Sequence, residues 1–263
     1  MTAGGPISRS GKPAVVAHRG ASEELPEHTL AAYERALADG ADGLECDVRL
    51  TSDHELVCIH DRTVDRTSDG TGLVSEMSVP QLRELDFGSW HPHGSSASVL
   101  TLRELLTLTL DWRRPVRLFV ETKHPVRYGS LVEQKLLALL HEFGVATPPS
   151  ADHSRAVVIS FSSAGVWRVR RHAPMLPTIL LGDTARLLGG SAATAVGATG
   201  IGPSVNTLRQ NPDLVDRAAA AGRVTYCWTV DDRVDVQLCA DLGVRWVATN
   251  RPAKVRDWLV TVD

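Results

Sequence analysis

The stretch GLECDV, residues 43–48, is apolar enough for a buried strand, yet it carries Glu45 and Asp47 at alternate positions near its end. Two carboxylates there would disrupt a packed core. At the mouth of a barrel of parallel strands the same placement makes a site, because the C-terminal ends of such strands converge on one face. Two further runs end the same way. AVVAH (14–18) finishes in His18, and RLFVET (117–122) delivers Glu121 with Lys123 just beyond it.

Working outward, strand-length apolar runs alternate with helix-period segments, which signals βαβ units and a parallel sheet. The other runs are AVVISF (156–161), TILL (178–181), TGIGP (199–203), VTYCWTV (224–230) and WVAT (246–249), making eight strands in all. Helical segments lie between most of them. In EHTLAAYERALADG, Leu30, Tyr33, Ala36 and Leu37 share a face and Gly40 is placed to cap the end. The Gly/Ala-rich stretch 184–198 carries the weakest helical signal. The reading is an α/β fold, a TIM (β/α)8 barrel, with a β-hairpin and a small insertion after the second strand. Residues 1–13 read as a flexible segment and 14–263 as one domain.

That hairpin is VRLTSDHELVCIHD. With Asp53-His54 as a two-residue turn, Ser52 faces Glu55 and Asp47 comes opposite His60, so His60 returns to the active face. Residues 62–99 then form an insertion with Trp90, His91 and His93, of the kind that covers a binding site.

Composition narrows the function classes. The 263 residues are 43% hydrophobic and 22% charged with a net charge of −3, so no clustered basic face calls for a nucleic acid. No apolar stretch approaches the roughly 20 residues of a membrane helix, and the N-terminus lacks the apolar core of a signal peptide. The four cysteines have neither metal-site spacing nor disulfide-framework density, which reads as reduced thiols in a cytoplasmic protein. Oligomeric state is not written in the sequence.

Glu45, Asp47 and Glu121 at one mouth repel each other, by roughly 4 kcal/mol per pair about 4 Å apart at an effective dielectric near 20. Protonation or a cation relieves this, and all-oxygen ligands favour Mg²⁺ or Ca²⁺, with Mn²⁺ also compatible. The bland alternative is plain neutralisation by Arg19 and Lys123. His18 and His60, each beside acidic residues, suit a reaction in which one group takes a proton and another gives one. The remaining histidines, His28 among them, read as surface residues, with His124 singled out for its place after Lys123. Arg19 and Lys123 suit phosphate capture. Phe161 and Trp228 end two strands as rim packing or as a pocket wall.

The set AHRG (17–20), PEHT (26–29), LECDVRLTSD (44–53), IHD (59–61), VETK (120–123), SF (160–161), CWTV (227–230) and TNRP (249–252) resembles the glycerophosphodiester phosphodiesterases over about residues 14–254. The resemblance implies a TIM barrel that hydrolyses glycerophosphodiesters, such as glycerophosphocholine or glycerophosphoethanolamine, to sn-glycerol 3-phosphate and an alcohol. It implies His18 and His60 as the acid–base pair and Glu45, Asp47 and Glu121 as metal ligands. Arg19 matches the phosphate contact of the HRG motif, Lys123 the Lys of the E-x-K motif, Glu27 the acidic residue of P-E-N-T near the site, and Trp228 an aromatic of the glycerol pocket. The neighbouring 2-hydroxyl of the substrate is then the nucleophile. Two positions depart from the pattern: His28 replaces Asn in P-E-N-T, and Asp231 replaces Asn in W-T-V-N. Competing readings are a lysophospholipase D-type enzyme on the same barrel, a metal-dependent amidohydrolase (which would need a second His near His18), and a non-catalytic phosphate-binding module.

Overall fold

A computed structural model describes residues 11–189 and 191–261. Most of the expected flexible segment, residues 1–10, lies outside the described residues. Nine strands form one sheet: β1 Ala14–His18, β2 Gly43–Leu50, β3 Leu56–Cys58, β4 Arg117–Thr122, β5 Ala156–Ser160, β6 Thr178–Gly182, β7 Gly200–Pro203, β8 Val224–Cys227 and β9 Trp246–Thr249. The parallel pairing of β1 with both β2 and β9 closes eight of them into a barrel, and β3 lies antiparallel on β2 outside the ring. This is the expected TIM barrel with its hairpin after the second strand.

The barrel wall is apolar because it is covered on both sides. Its interior is filled by Val16, Phe119, Val157, Ile159, Ile179, Leu181, Tyr226 and Trp246. Outside lie the helices α1 Leu30–Ala38, α2 Val79–Leu82 (within the insertion and not on the barrel wall), α3 Leu102–Asp111, α4 Leu131–Glu142, α5 Ser163–His172, α6 Ala185–Gly189, α7 Ser191–Ala195, α8 Val205–Gln210, α9 Asp213–Ala220, α10 Arg233–Leu242 and α11 Pro252–Val260. The Tyr33, Ala36 and Leu37 side of α1 is buried as its periodicity requires, while Leu30 stays 44% exposed. The weak signal at 184–198 resolves into two short helices, α6 and α7.

Two expectations change. VTYCWTV pairs as a strand only to Cys227. The hairpin register differs by one residue: Val48, Arg49 and Leu50 face Cys58, Val57 and Leu56. The cause is the turn. Thr51 N–H donates to Glu55 O at 3.0 Å, and His54 sits at φ 61°, which makes a three-residue loop ending in a left-handed residue. Asp47 therefore meets Ile59, whose N–H donates to Asp47 O at 3.1 Å. His60 lies one residue past that pair, beyond the end of β3, and its carbonyl accepts from Arg49 Nε at 2.9 Å.

The insertion has a small core of its own, in which Val64, Val74, Val79, Leu82, Phe87 and Val99 pack on Val57 and Ile59.

Candidate active site

Strand register assembles the mouth. Side chains alternate along a strand, so Glu45 and Asp47 point to the same side of β2. His18 of β1 is the register partner of Glu45, and Glu121 of β4 is the partner of Asp47. All three carboxylates are buried and offer oxygens within 4.8 Å of one another. His18 Nε2 lies 4.0 Å from Glu45 Oε2.

The cations interleave with these acids. Lys123 Nζ is 3.2 Å from Asp47 Oδ1 and 2.7 Å from Glu121 Oε1. Arg19 Nε is 3.0 Å from Asp47 Oδ2, and its backbone N–H donates to Glu45 Oε2 at 3.1 Å. Arg19 reaches inward because it sits at φ 59° and Gly20 follows at φ 87°. A Cβ on Gly20 would come within 2.8 Å of Ala32 backbone, so this turn admits only glycine there.

Charge remains unbalanced despite these pairs. Burial and then the charge of Asp47 push Glu45 well up, and push Glu121 up to about 7. Asp47 goes the other way: burial opposes its ionisation, but a hydrogen bond from His28 and the charges of Arg19 and Lys123 hold it well down. Its Oδ1 is buried and has the Lys123 ammonium at 3.2 Å as an ion-pair partner. Three buried carboxylates that bring oxygens within 4.8 Å of one another, two of them resisting ionisation, fit a hard divalent cation held by Glu45, Asp47 and Glu121.

Each expected histidine has a partner at Nδ1. His18 Nδ1 is 2.8 Å from Asn250 Oδ1, and His60 Nδ1 is 2.6 Å from Asp61 Oδ1. Burial foremost, then Arg19, lowers His18 to about 4, so its imidazole is neutral near pH 7. Burial also lowers His60, which lies within the fields of Asp47, Arg19 and Lys123. Asp61 in turn accepts from Arg66 Nε at 2.6 Å, and Arg66 binds Glu27 with two bonds of 2.8 Å. Glu27 also accepts from Arg19 Nη1 at 3.1 Å. Burial works against its ionisation, yet Arg66, His28 and Arg19 bring it down to about 2. Glu27 thus braces Arg19. At the far side, Trp228 donates to Gly202 O at 2.8 Å and stands edge-on to Phe161, whose ring is 42% exposed.

His28 corrects the sequence reading. It is buried, with Nε2 3.0 Å from Asp47 Oδ2 and Nδ1 2.8 Å from the Tyr33 hydroxyl, which donates to Glu45 O at 3.0 Å. A turn at φ 61° swings its ring inward, and no periodicity signals that. Its place inside PEHT was the available clue. Asn250, Asp61 and Arg66 are further residues that the sequence reading did not single out. Asp61 and Asn250 lie within motifs, IHD and TNRP, whereas Arg66 comes from the insertion. His124 is held by the buried Glu133 at 2.8 Å.

The pattern of the Glycerophosphoryl diester phosphodiesterase family matches residues 18–254. A Mycobacterium tuberculosis (strain H37Rv) protein named "probable glycerophosphodiester phosphodiesterase 1" is 63% identical over 256 residues, covering 95% of this chain and 93% of that protein. A glycerophosphodiester phosphodiesterase structure from Agrobacterium tumefaciens C58 is similar with a TM-score of 0.77 at 27% identity, over 93% of this chain and 99% of that one. The fold is shared too with an Oleispira antarctica phosphodiesterase solved with the product sn-glycerol-3-phosphate, with a TM-score of 0.80 at 22% identity, over 95% and 97% of the two chains. With a family match across nearly the whole barrel and a full-length relative identical at 63% of aligned positions, this chain belongs to the glycerophosphoryl diester phosphodiesterase family and is a phosphodiesterase.

Proposed function

We propose that the chain is a cytoplasmic, metal-dependent enzyme, one domain over 14–263, that hydrolyses water-soluble glycerophosphodiesters such as glycerophosphocholine or glycerophosphoethanolamine. The products are sn-glycerol 3-phosphate and the free alcohol. The observation that carries the reading is the cluster of three carboxylate oxygens within 4.8 Å, flanked by His18 at 4.0 Å.

In this scheme Glu45, Asp47 and Glu121 would hold a divalent ion, which when bound would supply Lewis-acid chemistry toward the phosphoryl group. Arg19 and Lys123 neutralise charge that develops on the phosphorus oxygens. The substrate's own 2-hydroxyl attacks phosphorus, favoured by its high effective molarity. One of His18 and His60 takes that hydroxyl's proton, the other gives a proton to the departing alcohol, and water then opens the cyclic phosphate with the roles exchanged. Trp228 and Phe161 line the glycerol side.

A lysophospholipase D-type substrate would want an apolar rim. Val74 and Phe87 of the insertion are instead consumed in its core, and no helix among the described residues is long and apolar enough to cross a membrane. The test is phosphodiester cleavage assayed with EDTA and with Mg²⁺, Ca²⁺ or Mn²⁺ restored. Chelation is expected to stop turnover, and an analogue lacking the 2-hydroxyl to react at least about 10³-fold more slowly, within the range that intramolecular attack supplies. Full turnover in chelator removes the metal, and rapid cleavage of the analogue replaces the internal nucleophile with water.

A further inference from the structure

We propose that Asp231 is a positioning residue that acts through Asn250 to fix the tautomer of His18, so that Nδ1 carries the proton and Nε2 faces the mouth bare. The idea rests on the role for His18 given above and concerns a residue where the chain departs from W-T-V-N.

Asp231 Oδ1 accepts from Thr249 Oγ1 at 2.7 Å and from the Asn250 backbone N–H at 2.8 Å, and its Oδ2 accepts from Asn250 Nδ2 at 2.7 Å. Arg251 Nη1 donates to the Asp231 carbonyl at 3.2 Å, which holds the backbone in place. A carboxylate has no proton to give, so the Asn250 amide must present its NH₂ end to Asp231. Its oxygen is thereby turned toward His18 Nδ1, 2.8 Å away, and the Ser22 hydroxyl, 2.9 Å away. The single Ser22 proton lies between Asn250 Oδ1 and His18 O, the latter at 2.8 Å. An amide oxygen only accepts. Nδ1 must therefore donate, and in the neutral ring Nε2 has a free lone pair.

Nε2 is the nitrogen on the Glu45 side, at 4.0 Å from that carboxylate. It is the atom that exchanges a proton, in whichever direction the proton moves. An Asn at position 231 would keep its oxygen on the Asn250 backbone N–H and so turn its NH₂ to the Asn250 side chain, which reverses that amide and with it the tautomer. Asp prevents that reversal.

The experiment is ¹⁵N NMR of the full chain labelled at histidine, with the His18 signals assigned by loss in His18→Asn, together with steady-state kinetics. In the wild type, His18 is expected as a single Nδ1–H tautomer at neutral pH. Asp231→Asn is expected to move the proton to Nε2. Asn250→Ala should lower kcat by about 10- to 100-fold, the usual cost of losing an outer partner of a functional histidine, and KM should stay within about twofold. The exchange Asp231→Asn with Asn250→Asp puts an acceptor-only group back at Nδ1 and should restore both the tautomer and most of kcat, a rescue that a merely structural role does not give. A wild-type His18 protonated at Nε2 overturns the proposal, as does a folded Asp231→Asn with unaltered ring signals. If Asp231→Asn does not fold, the wild-type spectrum and the double variant decide. A wild type with the expected tautomer but no glycerophosphodiester turnover supports this assignment and sinks the proposed function alone.

Discussion

His28 shows what one side chain contributes. Its ring bridges Asp47 and Tyr33, so the carboxylate held well below its ordinary range owes part of that to an imidazole which the sequence pattern assigns to the surface. His28→Ala leaves Asp47 Oδ2 with Arg19 alone, and turnover is expected to fall about 10- to 100-fold, as for other outer supports of metal ligands. His28→Asn, which restores the PENT motif, keeps a donor and is expected to retain most activity. Steady-state kinetics on the two variants settles it: equal losses mean that the hydrogen bond to Asp47 is not what matters.

At the scale of elements, the site depends on loops clamped from below. Glu133 of α4 is buried and accepts from His124 at 2.8 Å and from Arg168 of α5 at 3.2 Å, tying the segment after Lys123 to two helices. Removing one partner of a buried charged cluster leaves the others unpaired, so Glu133→Ala is expected to cost about 2–4 kcal/mol in urea unfolding. A change below about 0.5 kcal/mol, the usual level for an exposed substitution, would mean that water already satisfies the cluster. The β2–β3 hairpin teaches a different lesson. Its turn chose three residues over two, which shifted the ladder by one, and His60, past the last paired residue of β3, still lies within the fields of Asp47, Arg19 and Lys123.

Across the whole molecule, the insertion is fastened to the barrel mouth by Arg66, which joins Asp61 to Glu27. Burial opposes ionisation of both acids, yet Arg66 foremost brings each to about 2, below ordinary values of 4.5 for Glu27 and 3.8 for Asp61. Depressed carboxylates stabilise the fold above their ordinary values, and that contribution fades as pH falls toward 2, since the unfolded chain takes up protons first. Melting temperature should therefore drop between about pH 4.5 and 2, and calorimetry on Arg66→Met should find a flatter acid limb; a parallel curve would mean the network carries no linkage. The barrel, the acidic trio and His18 were legible in the sequence because period-two alternation and strand-end position are local properties of the chain, whereas His60 was placed by a register that the turn shifted by one. Tertiary structure alone decided the hairpin register, the inward turn of His28 and the bonds from Asp231 through Asn250 to His18, residues 18 and 250 being joined only by barrel closure. Those features depend on left-handed turns, on which strand lies beside which, and on the donor and acceptor ends of side chains far apart in sequence. No periodicity encodes them, because each is settled by the free energy of satisfying buried polar groups once the chain has closed on itself.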